Sequence, residues 1–133
     1  MLEYMLDTNT CIYAMRGSYP GVNEKYKAQS GRLCISSVTL GELHFGAEKS
    51  MRRIESLDAI EYFTSFLEVL SFGAVAAAHY GQLRAHLERM GTPCGHADIQ
   101  IGAHARSEAL IVVTNNRREF DRMPGLRVEN WVS

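Results

Sequence analysis

The sequence predicts an α/β fold in which helices cover both faces of a parallel sheet of about four to five strands. Short apolar runs of strand length alternate with longer segments whose apolar residues recur at helical spacing. Strands separated by helices in this way pair in parallel, and both faces of such a sheet are covered. Acidic residues also follow several of these runs, where open α/β sheets build their sites.

Length and composition indicate one globular domain. The chain has 133 residues, 46% of them hydrophobic, and a net charge of −1, so a single domain over residues 1–133 is expected. That charge gives no sign of a strongly basic nucleic-acid binder, although basic residues can still cluster locally. No apolar run approaches the roughly 20 residues of a membrane span, and the N-terminus lacks the pattern of a secretory signal. The three widely spaced cysteines suggest a reducing compartment, so we expect a cytoplasmic location.

The first elements alternate between strand and helix. An apolar run over 4–6 predicts a strand, and a helix follows from about Asn9 until Gly17 stops it. Pro20 suits the first turn of a second helix, and 33–36 is short and apolar like a strand.

The middle of the chain is mostly helical. From Thr39 the apolar positions switch to helical spacing, and three of them share a face: Leu40, Leu43 and Ala47. The segment 51–67 continues this pattern, and 69–70 predicts a short strand.

The second half repeats the alternation. Long helices are predicted over 74–90 and 97–109, followed by the clearest strand of the chain over 110–113. A helical turn around 117–120 and a last strand near 126–128 complete the pattern.

Four acids occur near the starts of helices that follow strands or the helix-breaking segment 93–95: Asp7, Glu42, Asp98 and Glu119. Because the carboxyl ends of parallel strands meet at one edge of a sheet, we expect these side chains to converge there. Carboxylates brought together repel one another unless a cation lies between them. Oxygen ligands select hard cations such as Mg²⁺ and Mn²⁺, which activate water and stabilise charge on a phosphodiester. The pattern therefore favours a metal-dependent hydrolase.

Each acid taken alone also has a structural explanation. Asp7 could cap the first helix, and Thr39–Glu42 has the pattern of a capping box. Asp98 lies in a first helical turn, where negative charge is favourable, and Glu119 could be the third residue of a helix capped by Asn116. Since Ser, Thr or Asn would serve equally well as caps, the recurrence of acids favours a shared site.

Other chemistries lack their motifs. The five histidines form no zinc-binding spacing, and His96, the nearest to the acids, is taken as a bystander. No glycine-rich phosphate loop is present. A response-regulator receiver also gathers acids at the sheet edge but needs a lysine late in the chain, and here Lys49 is the last lysine.

Four segments resemble, in order, the motifs of PIN-domain ribonucleases, and more closely those of the VapC toxins of bacterial type II toxin–antitoxin systems. They are Met5-Leu6-Asp7-Thr8-Asn9, Ser36 to Leu43, Gly95-His96-Ala97-Asp98 and Val113 to Phe120. The resemblance covers essentially the whole chain and implies a PIN-like three-layer α/β/α sandwich.

The resemblance also implies roles for individual residues. It makes Asp7 and Asp98 direct ligands of Mg²⁺, for which Mn²⁺ could substitute, and Glu42 a ligand directly or through water. Residues expected to orient waters or ligands around this centre are Thr8, Asn9, Thr114 and Asn116. Many PIN domains carry an aspartate where Asn116 stands here. Because an amide supplies no charge, Glu119 is expected to take over as the fourth catalytic acid, with only one metal well occupied.

By the same resemblance, the chain is expected to be an endoribonuclease toxin that cuts structured RNA and so inhibits translation. A tRNA is the favoured substrate, with the anticodon loop of initiator tRNA as one candidate. A VapB-like antitoxin, a homodimer and a larger toxin–antitoxin complex are implied as well. Apolar helical residues are expected to form a groove for the antitoxin: Ile54, Leu57, Ile60, Phe63, Phe66 and Leu67. The alternative is a non-catalytic PIN-like module that binds RNA or protein, and retention of the acids argues against it.

Overall fold

A computed structural model describes residues 1–132 of the chain. Strands and helices alternate as the sequence predicts. In chain order they are β1 (Tyr4–Leu6), α1 (Thr8–Arg16), α2 (Pro20–Ala28), β2 (Leu33–Ser36), α3 (Ser37–Lys49), α4 (Arg53–Thr64), β3 (Glu68–Leu70), α5 (Ala74–Arg89), α6 (His96–Ser107), β4 (Ile111–Val113), α7 (Arg117–Phe120) and β5 (Arg127–Glu129).

The strands form one five-stranded sheet in the order β3-β2-β1-β4-β5, and every pairing is parallel. The first strand of the chain lies at the centre, with Met5 opposite Cys34 on one side and Val112 on the other. The predicted parallel sheet of four to five strands is confirmed.

Alternate residues of the central strands pack into two hydrophobic cores on opposite faces of the sheet. Leu6, Ile35 and Val113 join buried residues of α1 to α4, whereas Met5 and Val112 join buried residues of α5, α6 and α7. This two-residue alternation is expected of strands that are covered on both faces. The three-layer α/β/α sandwich is therefore confirmed.

The start of α3 differs from the expected capping box. The helix begins at Ser37, and the hydroxyl of Ser36 caps it by accepting a hydrogen bond from the Val38 N–H at 3.1 Å. The interpretation of Thr39–Glu42 as a capping box is wrong because the last residue of β2 already supplies the cap. Thr39 is fully buried, and its hydroxyl has no hydrogen-bond partner within residues 1–132.

The predicted helix over 51–67 is shorter in the structure because the chain turns after Thr64 to enter β3. Two residues expected in an antitoxin groove, Ile60 and Phe63, are buried and pack in the hydrophobic core. Ile54 and Phe66 remain exposed on this side of the molecule.

The three cysteines are buried free thiols, in line with the expectation that they serve as apolar core residues. Within the described part of the chain, every helix is too short or too polar to cross a bilayer.

Candidate functional site

The carboxyl edge of the sheet holds Asp7, immediately after β1. Only 3% of the residue is exposed, and its backbone N–H donates to the Val113 carbonyl of the neighbouring strand at 3.0 Å. Its carboxylate caps α1 by accepting the Thr10 N–H at 2.9 Å, and the Thr10 hydroxyl donates to Val113 O at 3.1 Å. The aspartate is therefore both the predicted helix cap and a rigidly held acid.

Glu42 approaches from α3. It lies in the second turn of that helix and is exposed, so a ligand in solvent can reach it. The Thr8 hydroxyl, at the start of α1, donates a hydrogen bond to its carboxylate. This bond ties the loop after β1 to α3 and holds Glu42 toward the edge where Asp7 stands.

Asp98 and Glu119 form a second pair of acids, joined by an amide. Asp98 lies in the first turn of α6, and Glu119 lies in the short helix α7. The Asn116 amide donates to both, at 2.9 Å to Glu119 Oε2 and 3.4 Å to Asp98 Oδ2. The Gly95 N–H donates to the other Glu119 oxygen at 3.4 Å. Asn116 therefore bridges two carboxylates in place of the charge that an aspartate would add.

The acids lie near enough together to shift one another's protonation. Burial, hydrogen bonding to Glu119 and the charges of Glu119, Asp7 and Glu42 raise the pKa of Asp98 to about 8. The hydrogen bond with Asp98 is the main cause that lowers the pKa of Glu119, so the pKa values of the two carboxyls shift in opposite directions. Burial also raises the pKa of Asp7, while hydrogen bonds from Thr114 and Thr10 oppose that rise.

The donor atoms of this cluster are carboxylate oxygens, which suit hard divalent cations. The raised pKa values show that the acids carry mutual repulsion and desolvation, which a cation would relieve. Within residues 1–132, no three side chains of His, Cys, Asp or Glu already stand arranged to hold a metal ion. The chemistry of the site fits a metal, and binding would draw the carboxylates closer.

The residues expected around the acids differ in their placement. Thr8 contacts Glu42, and the Thr114 hydroxyl accepts the Asn116 N–H at 2.8 Å. Asn9 is exposed, and its side chain makes no hydrogen bond within residues 1–132. Thr10 is a supporting residue that the sequence analysis missed. Its position three residues after a capping aspartate is the signal that indicates it.

A groove opens beside Glu42, between α1, α3 and α4. It has a cavity volume of about 360 Å³, and its lining is mainly apolar, with one acid and one arginine: Ile12, Met15, Arg16, Glu42, Leu43, Gly46, Ala47, Ser50, Ser56, Ala59 and Ile60. Only Ile60 of the six residues expected to line an antitoxin groove is among them.

Comparison with known proteins places these features in a family. A model of the PIN domain matches residues 4–126. The chain is 50% identical to the tRNA(fMet)-specific endonuclease VapC of Salmonella typhimurium over 131 residues, which is 98% of this chain and 99% of that protein.

Two solved structures are similar to this chain over almost its whole length. DNA-bound VapBC from Salmonella typhimurium superposes with a TM-score of 0.94 at 50% identity, covering 98% of this chain and 99% of that one. VapBC2 from Rickettsia felis, bound to a DNA fragment from its promoter, gives a TM-score of 0.92 at 36% identity with the same coverage.

Proposed function

The chain belongs to the PIN domain family and to the VapC ribonucleases within it, and from that premise we propose that it is a Mg²⁺-dependent endoribonuclease toxin. The observation that carries this proposal is the meeting of four acids at one sheet edge: Asp7, Glu42, Asp98 and Glu119. Asp7 directly follows β1, Thr8 at the start of α1 holds Glu42, and the Asn116 amide joins Asp98 to Glu119. Residues 1–133 then form a single PIN domain.

Asp7, Asp98 and Glu42 would hold the metal, with Mg²⁺ as the natural ion and Mn²⁺ as a substitute. When bound, such an ion activates water and neutralises charge on the phosphodiester. Asp7 is buried and capped into place, so it supplies a fixed ligand. Glu42 is exposed and can adjust, directly or through water. Binding must displace the proton from Asp98, because only its ionised form is a good ligand.

The remaining polar residues position these acids. Thr8 holds Glu42 and Thr114 holds Asp7, while Asn9 faces solvent where it can meet water or RNA. Asn116 keeps Glu119 near Asp98 without adding charge. We therefore propose one well-occupied metal, with Glu119 as the fourth catalytic acid.

The substrate is a structured RNA, and a tRNA is the best candidate. The name of the Salmonella relative specifies tRNA(fMet), and half of the residues are shared with it. Cleavage of initiator tRNA in its anticodon loop would stop translation at its first step. A location in the cytoplasm, where tRNA and ribosomes meet, follows from this substrate.

A VapB antitoxin is the proposed partner, since the similar solved structures contain VapBC. The groove between α1, α3 and α4 suits an apolar helical segment, and Glu42 is among the residues that line it. A basic side chain on that segment could pair with the acids in forked geometry and so pre-empt the metal. A toxin homodimer and a larger complex with the antitoxin complete the proposed assembly.

The competing function is a non-catalytic PIN-like module that binds RNA or protein. A binding module gains nothing from a carboxyl whose pKa rises to about 8, because a raised carboxyl pKa weakens the fold at neutral pH. The acid cluster therefore favours the enzyme.

Cleavage of purified initiator tRNA in the presence and absence of Mg²⁺ tests the proposal. We expect Asp7→Asn and Asp98→Asn each to abolish cleavage and cellular toxicity, Glu42→Gln to be severe, and Glu119→Gln to be milder. The variant that combines Asp7→Asn with Asp98→Asn should lose little more activity than either single variant, because the ligands act as a unit. Sequencing new RNA 5′ ends after brief expression identifies the cut site. A fully active Asp7→Asn protein would leave the binding module as the better explanation.

A further inference from the structure

We propose that Tyr13 and Asn115 form a recognition site for one nucleobase of the RNA, beside the acids that cut it. This inference rests on the proposed ribonuclease function and deepens it. The Asn115 amide donates to the Tyr13 hydroxyl at 3.2 Å, which joins the loop after β4 to the first helix. The pair lies outside the acid cluster, and no step of the chemistry above uses it.

The position of the pair follows from its neighbours in sequence. Asn115 lies between Thr114, whose hydroxyl accepts the Asn116 N–H at 2.8 Å, and Asn116, whose amide donates to Asp98 and Glu119. Adjacent Cα atoms are about 3.8 Å apart, so the Asn115 backbone lies next to both supports of the site. A phosphodiester held at the acids would bring an adjoining nucleotide over Asn115 and Tyr13.

The hydrogen bonds of the pair leave two groups open. The Tyr13 hydroxyl accepts from Asn115, so its own proton remains available to donate. The Asn115 amide oxygen remains available to accept. Within residues 1–132 neither group has another hydrogen-bond partner, and Asn115 is exposed. One donor beside one acceptor matches the edge of an unpaired base, which is how proteins read single-stranded loops of RNA.

The Tyr13 ring supplies a surface for stacking. Tyr19 packs edge-on against it at 4.9 Å between ring centroids, with an interplanar angle of 83°. This contact and the packing of both tyrosines against the hydrophobic core fix the ring, and Tyr13 remains only half-buried. Stacking of a base on a fixed aromatic ring and hydrogen bonding of its edge act together in sequence-specific RNA recognition.

Basic residues beside the pair favour an RNA backbone over a neutral partner. Arg16 lies one helical turn beyond Tyr13, and Arg118 follows closely after Asn115. Neither has an acidic partner within residues 1–132, whereas Arg117 pairs with Asp121 at 3.3 Å. Phosphate contacts of this kind position the RNA, and base contacts then specify it.

The simpler explanation of the Asn115–Tyr13 hydrogen bond is structural, a tie that only holds the loop after β4 against α1. A tie would affect cleavage of every RNA equally, because it would act by shifting the acids. A base-reading site would instead affect discrimination between RNAs that differ at one nucleotide. Selectivity therefore separates the two explanations, and overall activity does not.

The experiment uses a hairpin RNA that the wild-type protein cuts, prepared with each of the four bases at every position flanking the cut. The variants are Tyr13→Phe, which keeps the ring, Asn115→Ala, and Tyr13→Ala, which removes the stacking surface. Tyr62→Phe is the matched control, because this exposed tyrosine on α4 packs only on Phe66 among the aromatic rings of residues 1–132. The readout is kcat/KM for each RNA, with melting curves to verify folding.

We expect the wild-type protein to prefer one base at one flanking position. Tyr13→Phe and Asn115→Ala should reduce that preference about tenfold while cleavage of the disfavoured RNAs changes little, and Tyr62→Phe should match wild type. Tyr13→Ala should lower kcat/KM for all bases at that position roughly 10-fold or more, through lost stacking.

Unchanged selectivity in the folded Tyr13→Phe and Asn115→Ala proteins would overturn the inference, as would an equal loss on every RNA in these two variants. Loss of antitoxin binding with RNA selectivity intact would also overturn it, in favour of a protein-docking surface. If the wild-type protein cuts no RNA in Mg²⁺, the proposed function itself fails and this inference falls with it. The two failures are therefore distinguishable.

Discussion

At the scale of single residues, Asp7 combines a structural and a chemical role. Its carboxylate caps α1 through Thr10 and faces the other acids at the sheet edge. The sequence predicted both roles as alternatives, and the structure shows that the cap is real without excluding the site. Thr10 could not be predicted with equal ease, because its hydroxyl bonds a strand that lies far away in sequence.

Two substitutions separate the roles of Asp7. Asparagine caps helices as well as aspartate, so Asp7→Asn should retain the free energy of unfolding while cleavage is lost. Asp7→Ala should lose cleavage and also about 1 kcal/mol of stability, since the Thr10 N–H is left without its acceptor. Urea unfolding in metal-free buffer measures the difference. Equal stability of the Asn and Ala variants would argue against the capping role.

His104 should make folding sensitive to mild acid. It is fully buried and pairs through Nδ1 with the Ser36 hydroxyl at 2.8 Å, and burial lowers its pKa below the ordinary value of 6.5. The unfolded chain then takes up a proton near pH 6.5 while the folded chain does not. The stability that neutral His104 provides is complete above this pH and is lost as the pH falls from there toward the lower folded pKa.

Unfolding free energies between pH 7.5 and 5 test this expectation. His104→Gln should flatten the decline in the free energy of unfolding, whatever its effect on stability at neutral pH. The exposed His44→Gln variant should retain the decline.

At the scale of elements, strands were easier to predict than helix ends. β2 falls where its apolar run predicts, and β3 and β4 differ by one residue. The start of α3 was misjudged because Ser36 serves both the strand and the cap, and the sequence alone does not show which of several hydroxyl residues will cap. The end of α4 depends on the turn into β3, which is a tertiary constraint.

Two helical glycines should respond in opposite directions to alanine. At Gly81 in α5 an added Cβ meets nothing within 4 Å, so Gly81→Ala should stabilise by up to about 1 kcal/mol through helix propensity. At Gly102 in α6 the added atom would overlap the buried Met123 sulfur and press on Leu126. Gly102→Ala should therefore destabilise on balance, since overpacking typically costs about 1–3 kcal/mol. The denaturant midpoints of the Gly81→Ala and Gly102→Ala variants, measured side by side, test whether α6 packs closely on Met123 at Gly102.

At the scale of the whole molecule, the layers and the sheet edge were predictable because they follow from the order of strands and helices. The geometry of the site could not be predicted from the sequence. The bridging of Asp98 and Glu119 by Asn116 joins elements whose mutual distance depends on the packing of α6 against α7. Sequence spacing predicts which residues meet at an edge and does not predict which of them an amide will join.

Mg²⁺ and Mn²⁺ should raise the melting temperature of the protein. Carboxyls with raised pKa values weaken the metal-free fold above their unfolded pKa, and an ion that binds only the folded state relieves this. At about 100-fold over the dissociation constant the gain would be roughly 2.7 kcal/mol. Asp98→Asn should melt higher than wild type without metal and gain little from it. Melting curves that do not move with millimolar Mg²⁺ or Mn²⁺ would count against the metal site.

Antitoxin and Mg²⁺ should compete for the toxin. Glu42 is one of the residues that line the groove, so a segment lying in it can present a basic side chain to this acid. Titrating antitoxin at low and high Mg²⁺, with ionic strength held constant, should show weaker binding at high Mg²⁺. An affinity independent of Mg²⁺ would mean that the antitoxin inhibits by covering the path of the RNA.

The central place of β1 has a consequence for biosynthesis. The first strand to leave the ribosome finds its second neighbour only when β4, near the end of the chain, has been made. Until then Asp7 has no Val113 carbonyl to anchor its backbone, and Asp98 has no Asn116 or Glu119 beside it. A copy whose translation ends early should therefore be unable to cut RNA. The cell that makes the toxin is exposed to its activity only after the polypeptide is complete.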